Sequence, residues 1–61
     1  MMIKLINIDT REIFAEFGDN EVKLSLKTAK ESGKIANMEL DDEHNKDVLI
    51  YIQRREPHDI Q

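Results

Sequence analysis

The alternation of apolar and polar positions along the chain predicts a protein built mainly from short strands. Residues 22–27 and 36–40 each alternate strictly between apolar and polar side chains, which is the period of a strand with one buried face. Residues 48–53 are apolar on both faces and rich in β-branched side chains, so they predict a strand in the middle of a sheet. Residues 3–8 are mostly apolar and complete four predicted strands.

A further segment, residues 9–17, fits either a fifth strand or a short helix. As a strand, it places Ile13 and Phe17 on the same face. As a helix, it begins with Asp9 and has Glu12 three residues later, which is the spacing of a capping box. We favour the strand, and the helix stays open as the alternative.

These elements predict a mostly β fold, or an α+β fold, in the form of a small antiparallel meander. It has four to five strands, joined by short connections, and at most one or two short helices. Residues 28–33 are either a helical turn that ends at Gly33 or a hairpin loop. Exposed sheet edges are a liability in so small a domain, and dimerisation is one way to complete the sheet. Residues 1–56 are expected to form a single domain, and residues 57–61, which begin with a proline, a flexible C-terminal tail.

The composition argues against catalysis. The 61 residues include no cysteine, so neither a disulfide nor a thiolate nucleophile is available. The two histidines, His44 and His58, fall in a predicted loop and in the tail, and the only glycines, Gly18 and Gly33, make no phosphate-binding loop. Residues 41, 43, 45 and 47 are spaced like the first ligands of a calcium loop, but Lys46 stands where that loop needs glycine and Ile52 where it needs glutamate. We therefore expect no enzyme activity, no metal and no cofactor, and we assign the sequence to no family.

The charge is distributed unevenly along the chain and defines two candidate surfaces. The net charge is −4, and residues 37–47 alone carry five acidic side chains against one lysine, a local −4. Residues 21–36 carry four lysines against two glutamates, a local +2. The acidic residues, as candidate contacts to a basic partner, are Glu39, Asp41, Asp42, Glu43 and Asp47. The lysines, as candidate contacts to a nucleic acid, are Lys23, Lys27, Lys30 and Lys34.

The first hypothesis for function is a small non-enzymatic regulator or inhibitor, of the kind that phage and mobile-element genes encode. It would bind a larger protein with a basic surface, through the acidic loop or through an exposed sheet edge. One alternative is a nucleic-acid-binding module that uses the lysine stretch 23–34. The other is a structural subunit of a homo-oligomer, with a homodimer as the simplest case.

The partner classes can be ranked from the same composition. Nucleic acid ranks below protein because the chain has only two phenylalanines and one tyrosine, whereas binding of single strands usually needs exposed aromatic rings. No segment reaches the roughly 18 apolar residues of a membrane span. We therefore expect no membrane partner and a cytoplasmic location, which is the host cytoplasm if the protein is viral.

Overall fold

A computed structural model describes residues 1–41 and 47–54, which form four strands, one α-helix and one 3₁₀ turn. In chain order these are β1 (Met2–Asn7), β2 (Ile13–Gly18), the 3₁₀ turn (Asp19–Glu21), α1 (Val22–Ser32), β3 (Gly33–Leu40) and β4 (Val48–Arg54). Most of the predicted loop at 41–47 and the whole predicted tail at 57–61 lie outside the described residues. The assignment of residues 1–56 to a single domain stays a prediction.

The four strands form one mixed sheet in the order β2-β1-β4-β3. The pairs β1–β2 and β3–β4 are antiparallel hairpin partners, but the two central strands, β1 and β4, are parallel. The coarser prediction of a mostly β chain with at most one or two short helices is confirmed. The finer prediction of an antiparallel meander is wrong. α1 connects β2, at one edge of the sheet, to β3, at the other edge, and β4 then runs parallel to β1.

The strands expected from residues 3–8, 36–40 and 48–53 are present as β1, β3 and β4. The strand that we favoured within 9–17 is present as β2, although it begins only at Ile13. Residues 8–12 instead form a tight connection, in which Arg11 has a positive φ of 67°. As expected for a strand that is apolar on both faces, β4 lies inside the sheet.

The prediction of a strand over residues 22–27 is wrong, because these residues form the first half of α1. The side of α1 that faces the sheet is made of small residues, and Ser25 and Ala29, one turn apart, are both completely buried. The buried Ser25 hydroxyl donates a hydrogen bond to the carbonyl oxygen of Val22 at 2.7 Å. Small side chains therefore allow the helix to lie close to the sheet, a role that an apolar-versus-polar pattern does not reveal.

The alternating apolar side chains of α1 lie on its flanks and not in the core. Leu24 is 49% exposed and Leu26 is 37% exposed, so the period of two that suggested a strand marks no buried face. Of the two interpretations of residues 28–33, the helical turn is confirmed. The helix ends at Ser32, and the N–H of Gly33 donates to the carbonyl oxygen of Ala29.

The core lies between α1 and one face of the sheet. Leu5 on β1 is opposite Ile50 on β4, and both are almost completely buried together with Ile52. The remaining buried members of the core are Ile3 and Ala29, and the partly buried residues that pack around them are Phe14, Ala15, Phe17, Ile35 and Val48. Within residues 1–41 and 47–54, no helix is long and apolar enough to cross a membrane.

Candidate protein-binding surface

Strand β3 forms one edge of the sheet. Among the described strands it pairs only with β4, so the backbone groups along its other side have no strand partner there. Every residue from 36 to 40 is exposed. An unpaired strand edge is a template for pairing with another chain. With β2 at the opposite side of the sheet, β3 is therefore a candidate for the exposed sheet edge of the sequence hypothesis.

Two large apolar side chains near the end of β3 are uncovered. Met38 is 55% exposed and Leu40 is 65% exposed. Met38 lies opposite Ile50 and Leu40 opposite Val48, both of which contribute to the core beneath α1. Met38 and Leu40 therefore extend the core face of the sheet beyond the part that the helix covers. A single exposed leucine is ordinary, but adjacent apolar positions on one face form a surface patch. We call these two residues the β3 patch.

The acidic residues beside the β3 patch differ in how far they are engaged within the chain. Glu39 is exposed and lies on the opposite face of β3. Its carboxylate accepts hydrogen bonds from Asn37 Nδ2 at 3.1 Å and from the Tyr51 hydroxyl at 3.3 Å. Asp41 is half-buried, and its N–H donates to the carbonyl oxygen of Asp47 at 2.9 Å where the two strands of the hairpin meet the connecting segment.

Asp47 forms an ion pair with the first strand. Its Oδ2 lies 3.0 Å from Lys4 Nζ, and its Oδ1 accepts a hydrogen bond from the N–H of Met2 at 3.4 Å. The hydrogen bond from Lys4 is the main reason that the pKa of Asp47 is lowered from its ordinary value of 3.8. The hydrogen bond to Asp47, and then its charge, raise the pKa of Lys4 above 10.5. Asp47 therefore holds the start of β4 to β1 rather than presenting a free carboxylate.

The structure brings only part of the predicted acidic surface together. Glu39 and Asp41 flank Leu40 in the sequence, Asp47 is held by Lys4, and Asp42 and Glu43 lie outside the described residues. The sequence interpretation missed the β3 patch, because strict alternation places residues 36, 38 and 40 on the buried face of a strand. The available signal was that the alternating segment 36–40 is followed directly by residues 41–47, which include no apolar side chain to cover it.

The four predicted lysines do not form one surface. Lys23, Lys27 and Lys30 are exposed and recur at intervals of four and three residues, which places them on one face of α1, away from the sheet. Lys34 lies on β3 opposite Gln53, on the sheet face that α1 does not cover. The helix therefore carries a stripe of three lysines, and the fourth is separate from it.

The aromatic rings are engaged within the fold. Phe14 and Phe17 pack against the core, and the guanidinium carbon of Arg54 lies 4.7 Å from the centre of the Phe14 ring. Arg11 lies over Tyr51 at 5.5 Å. These are distances at which a cation is attracted to a ring face. No aromatic ring among the described residues lies on α1 beside the lysine stripe, so that stripe has no platform for stacking a base.

Neither a metal site nor a known relative defines the surface further. No group of three or more histidine, cysteine, aspartate or glutamate side chains within residues 1–41 and 47–54 could hold a metal ion. Comparisons with protein-family models, with curated proteins and with solved structures find no match.

Proposed function

We propose that this chain is a small non-enzymatic regulator or inhibitor that binds a larger protein through β3. The observation that carries the proposal is the β3 patch, in which Met38 and Leu40 are 55% and 65% exposed on an edge strand. Large apolar side chains that stay in water on one face gain free energy when a partner covers them, about 25 cal/mol for each Å² removed from water. An edge strand also offers backbone hydrogen bonds to the same partner.

The charge beside the β3 patch favours a partner with a basic rim. Asp41 directly follows Leu40, Glu39 lies on the opposite face of the same edge strand, and the net charge of the chain is −4. Opposite charges at the rim of an interface speed association and select the partner, while the apolar centre provides most of the affinity. The partner that fits is a protein with a shallow apolar groove bordered by lysine or arginine. In this proposal Glu39 and Asp41 contribute charge at the rim, and the sheet edge forms the centre.

The test is affinity capture from a host lysate with the wild-type chain and two variants, followed by mass spectrometry. Met38→Ser with Leu40→Ser removes the β3 patch without a new charge. Leu24→Ser is the matched control. Leu24 is 49% exposed on α1, so this variant removes a similar exposed apolar side chain away from β3. We expect one protein to be recovered in stoichiometric amount by the wild type and by the control, and lost with the patch variant.

Two results would contradict the proposal. The first is that the wild type recovers no stoichiometric protein. The second is that the patch variant and the Leu24→Ser control retain the recovered protein equally well, because binding would then not involve β3. Circular dichroism of each variant establishes that it is folded before the comparison is made.

A nucleic acid remains a second candidate partner because of the lysine stripe on α1. The three aligned lysines could contact successive phosphates, and such binding weakens steeply as the salt concentration rises. The test is salt-dependent retention on single- and double-stranded DNA and RNA probes. Lys27→Ala should weaken retention, and Lys34→Ala, outside the stripe, should not. The absence of any shift at low salt would remove this candidate.

A further inference from the structure

The β-bulge in β3 determines which strands can pair with its free edge. The register against β4 shifts between Ile35 and Asn37, so Ala36 is an extra residue. Before the bulge, Ile35 faces the α1 side and Lys34 the other side. After the bulge the phase is displaced by one residue, so that Met38 faces the α1 side and Glu39 the other. A strand without a bulge, paired with this edge, would have its side chains on matching faces for only one half of β3.

A second copy of β3 matches both halves. Residues directly opposite each other in an antiparallel pair share a face of the sheet. Two antiparallel β3 strands therefore need a residue from before the bulge opposite a residue from after it. The register with the fullest overlap places Lys34 opposite Glu39 and Ile35 opposite Met38, with Gly33 opposite Leu40 at each end. No residue is left over, because Ala36 and Asn37 pair around the symmetry axis.

The side chains that meet in this register are complementary. Lys34 and Glu39 are both exposed and carry opposite charges, and a two-fold axis forms the pair twice. Ile35 and Met38 make an apolar pair on the α1 side. The other edge strand offers nothing comparable, because Glu16 is the only charged residue of β2 and has no basic residue there to meet.

We infer that a second copy of this chain pairs with β3 through antiparallel β3–β3 contact, giving a continuous eight-stranded sheet with Lys34 opposite the partner's Glu39. A bulge and a lysine commonly protect an edge strand against indiscriminate pairing. Here they admit a strand with the same bulge and the complementary charges. The pairing does not depend on the proposed function. In the dimer the second copy occupies the backbone edge of β3, so the backbone hydrogen bonds of that edge are open to a larger partner only in the monomer. The side chains of the two β3 patches stay on the α1 side, with the two Met38 residues between the two Leu40 residues, and a larger partner can cover them there.

The first test measures the oligomeric state of the purified chain by sedimentation velocity over a range from micromolar to millimolar concentration. The wild type should show a monomer–dimer equilibrium. Lys34→Glu places two glutamates opposite each other at both symmetry-related positions, and we expect the dissociation constant to rise about tenfold. Glu39→Lys should have a similar effect, and the double swap Lys34→Glu with Glu39→Lys should restore the wild-type value. Lys30→Glu on α1 makes the same charge change away from the edge and should leave dimerisation unchanged.

The second test fixes the register by cysteine cross-linking, in a chain that contains no cysteine of its own. Lys34→Cys combined with Glu39→Cys should give covalent dimers on mild oxidation, because the two positions lie opposite each other between copies. Each single cysteine lies about 17 Å from its own symmetry mate, five residues along a strand, which is too far for a disulfide. The single variants should therefore form no covalent dimers under the same conditions.

The inference is overturned if the wild type is a monomer at every concentration. It is also overturned if Lys34→Glu and Lys30→Glu affect the dimer equally, if the double swap fails to restore it, or if the double-cysteine variant cross-links no more than the single variants. These measurements use the purified chain alone, so their failure is distinct from a failure to recover a larger partner.

Discussion

The substitution Gly33→Ala tests whether the end of α1 and the start of β3 pack against β4 as closely as the structure indicates. Gly33 is buried and lies opposite Arg54. A Cβ atom at this position would overlap the carbonyl oxygen of Gln53 and would lie 3.0 Å from the Cα of Arg54. The atoms that it meets all belong to the backbone of β4. Gly33→Ala therefore cannot be accommodated by rotating a neighbouring side chain, and the two strands must move apart.

The expected loss of stability follows from two opposing effects. Forcing one extra carbon into a packed site costs about 1–3 kcal/mol. Alanine also restricts the unfolded chain, which favours folding by about 0.4–1 kcal/mol. The backbone of Gly33 is extended, with φ 162°, so no further cost arises from its conformation. Because the clash is with backbone atoms, the steric cost lies in the upper half of its range, about 2–3 kcal/mol. With a gain of about 1 kcal/mol from the unfolded chain, the net destabilisation is about 1–2 kcal/mol, against a total of about 3–9 kcal/mol for a chain of 61 residues.

The assay is thermal unfolding followed by circular dichroism, with Gly18→Ala as the matched control. For a domain of this size, the expected destabilisation of Gly33→Ala lowers Tm by about 4–16 °C. At Gly18 an added Cβ would meet only the side-chain oxygens of Asn20 and Glu21, at 3.3 and 3.6 Å. The contact with Glu21 is ordinary van der Waals contact and leaves its hydrogen bond from the Gly18 N–H in place, and the Asn20 side chain can rotate away. We therefore expect the Tm of Gly18→Ala to stay at or above the wild-type value. The reasoning is refuted if Gly33→Ala melts with the wild type, or if both variants lose the same amount.

The core, the helix and the ion pair can each be tested by a single substitution. Ile52→Ala should cost about 2–5 kcal/mol in urea unfolding, because Ile52 is fully buried; a loss below about 1 kcal/mol would contradict its place in the core. Ser25→Leu should destabilise the protein by about 1–3 kcal/mol in the same assay although it adds an apolar side chain, because α1 contacts the sheet through small residues; an increase in stability would show that the helix lies further away. The hydrogen bond from Lys4 lowers the pKa of Asp47, so the folded state favours the ionised carboxylate. This contribution is present above 3.8, the ordinary pKa, and is lost as the pH falls through the lowered folded value. Asp47→Asn should therefore flatten the acid side of the plot of urea midpoint against pH, and an unchanged slope would exclude the ion pair in solution.

The apolar pattern of the sequence predicted strands correctly where apolar positions are the buried ones, and it predicted a wrong strand where they are not. Residues 48–53 form the central strand β4, whose α1-facing side chains belong to the core, while Leu49 and Tyr51 on its other face are half-buried. Residues 22–27 alternate just as strictly, yet their segment is helical. The contacts of α1 with the sheet use Ser25 and Ala29, whose small size matters more than their polarity. Mistaking this helix for a strand also hid the parallel pairing, since a helical crossover is what brings two parallel strands together.

The candidate surface was predictable only in outline. A local charge of −4 marked residues 37–47 from composition, but a composition cannot show that Asp47 is held by Lys4, which is 43 positions earlier in the chain. Burial of Met38 was the natural expectation from the pattern. The exposure of Met38 depends on how far α1 extends over the sheet, which is a property of the assembled fold.

The parallel pair β1–β4 also determines when the chain can fold during its own synthesis. Ile3 is opposite Val48, so the first strand acquires its central neighbour only after 45 more residues have been made. At a synthesis rate of about 5–20 residues per second, this interval lasts roughly 2–9 s. Until then the nascent chain holds Leu5 and the rest of the apolar face of β1 without the strand that covers them, and it is open to aggregation or to a chaperone. We therefore expect folding to occur as one late event, after β4 has left the ribosome, and not by gradual growth from the N-terminus.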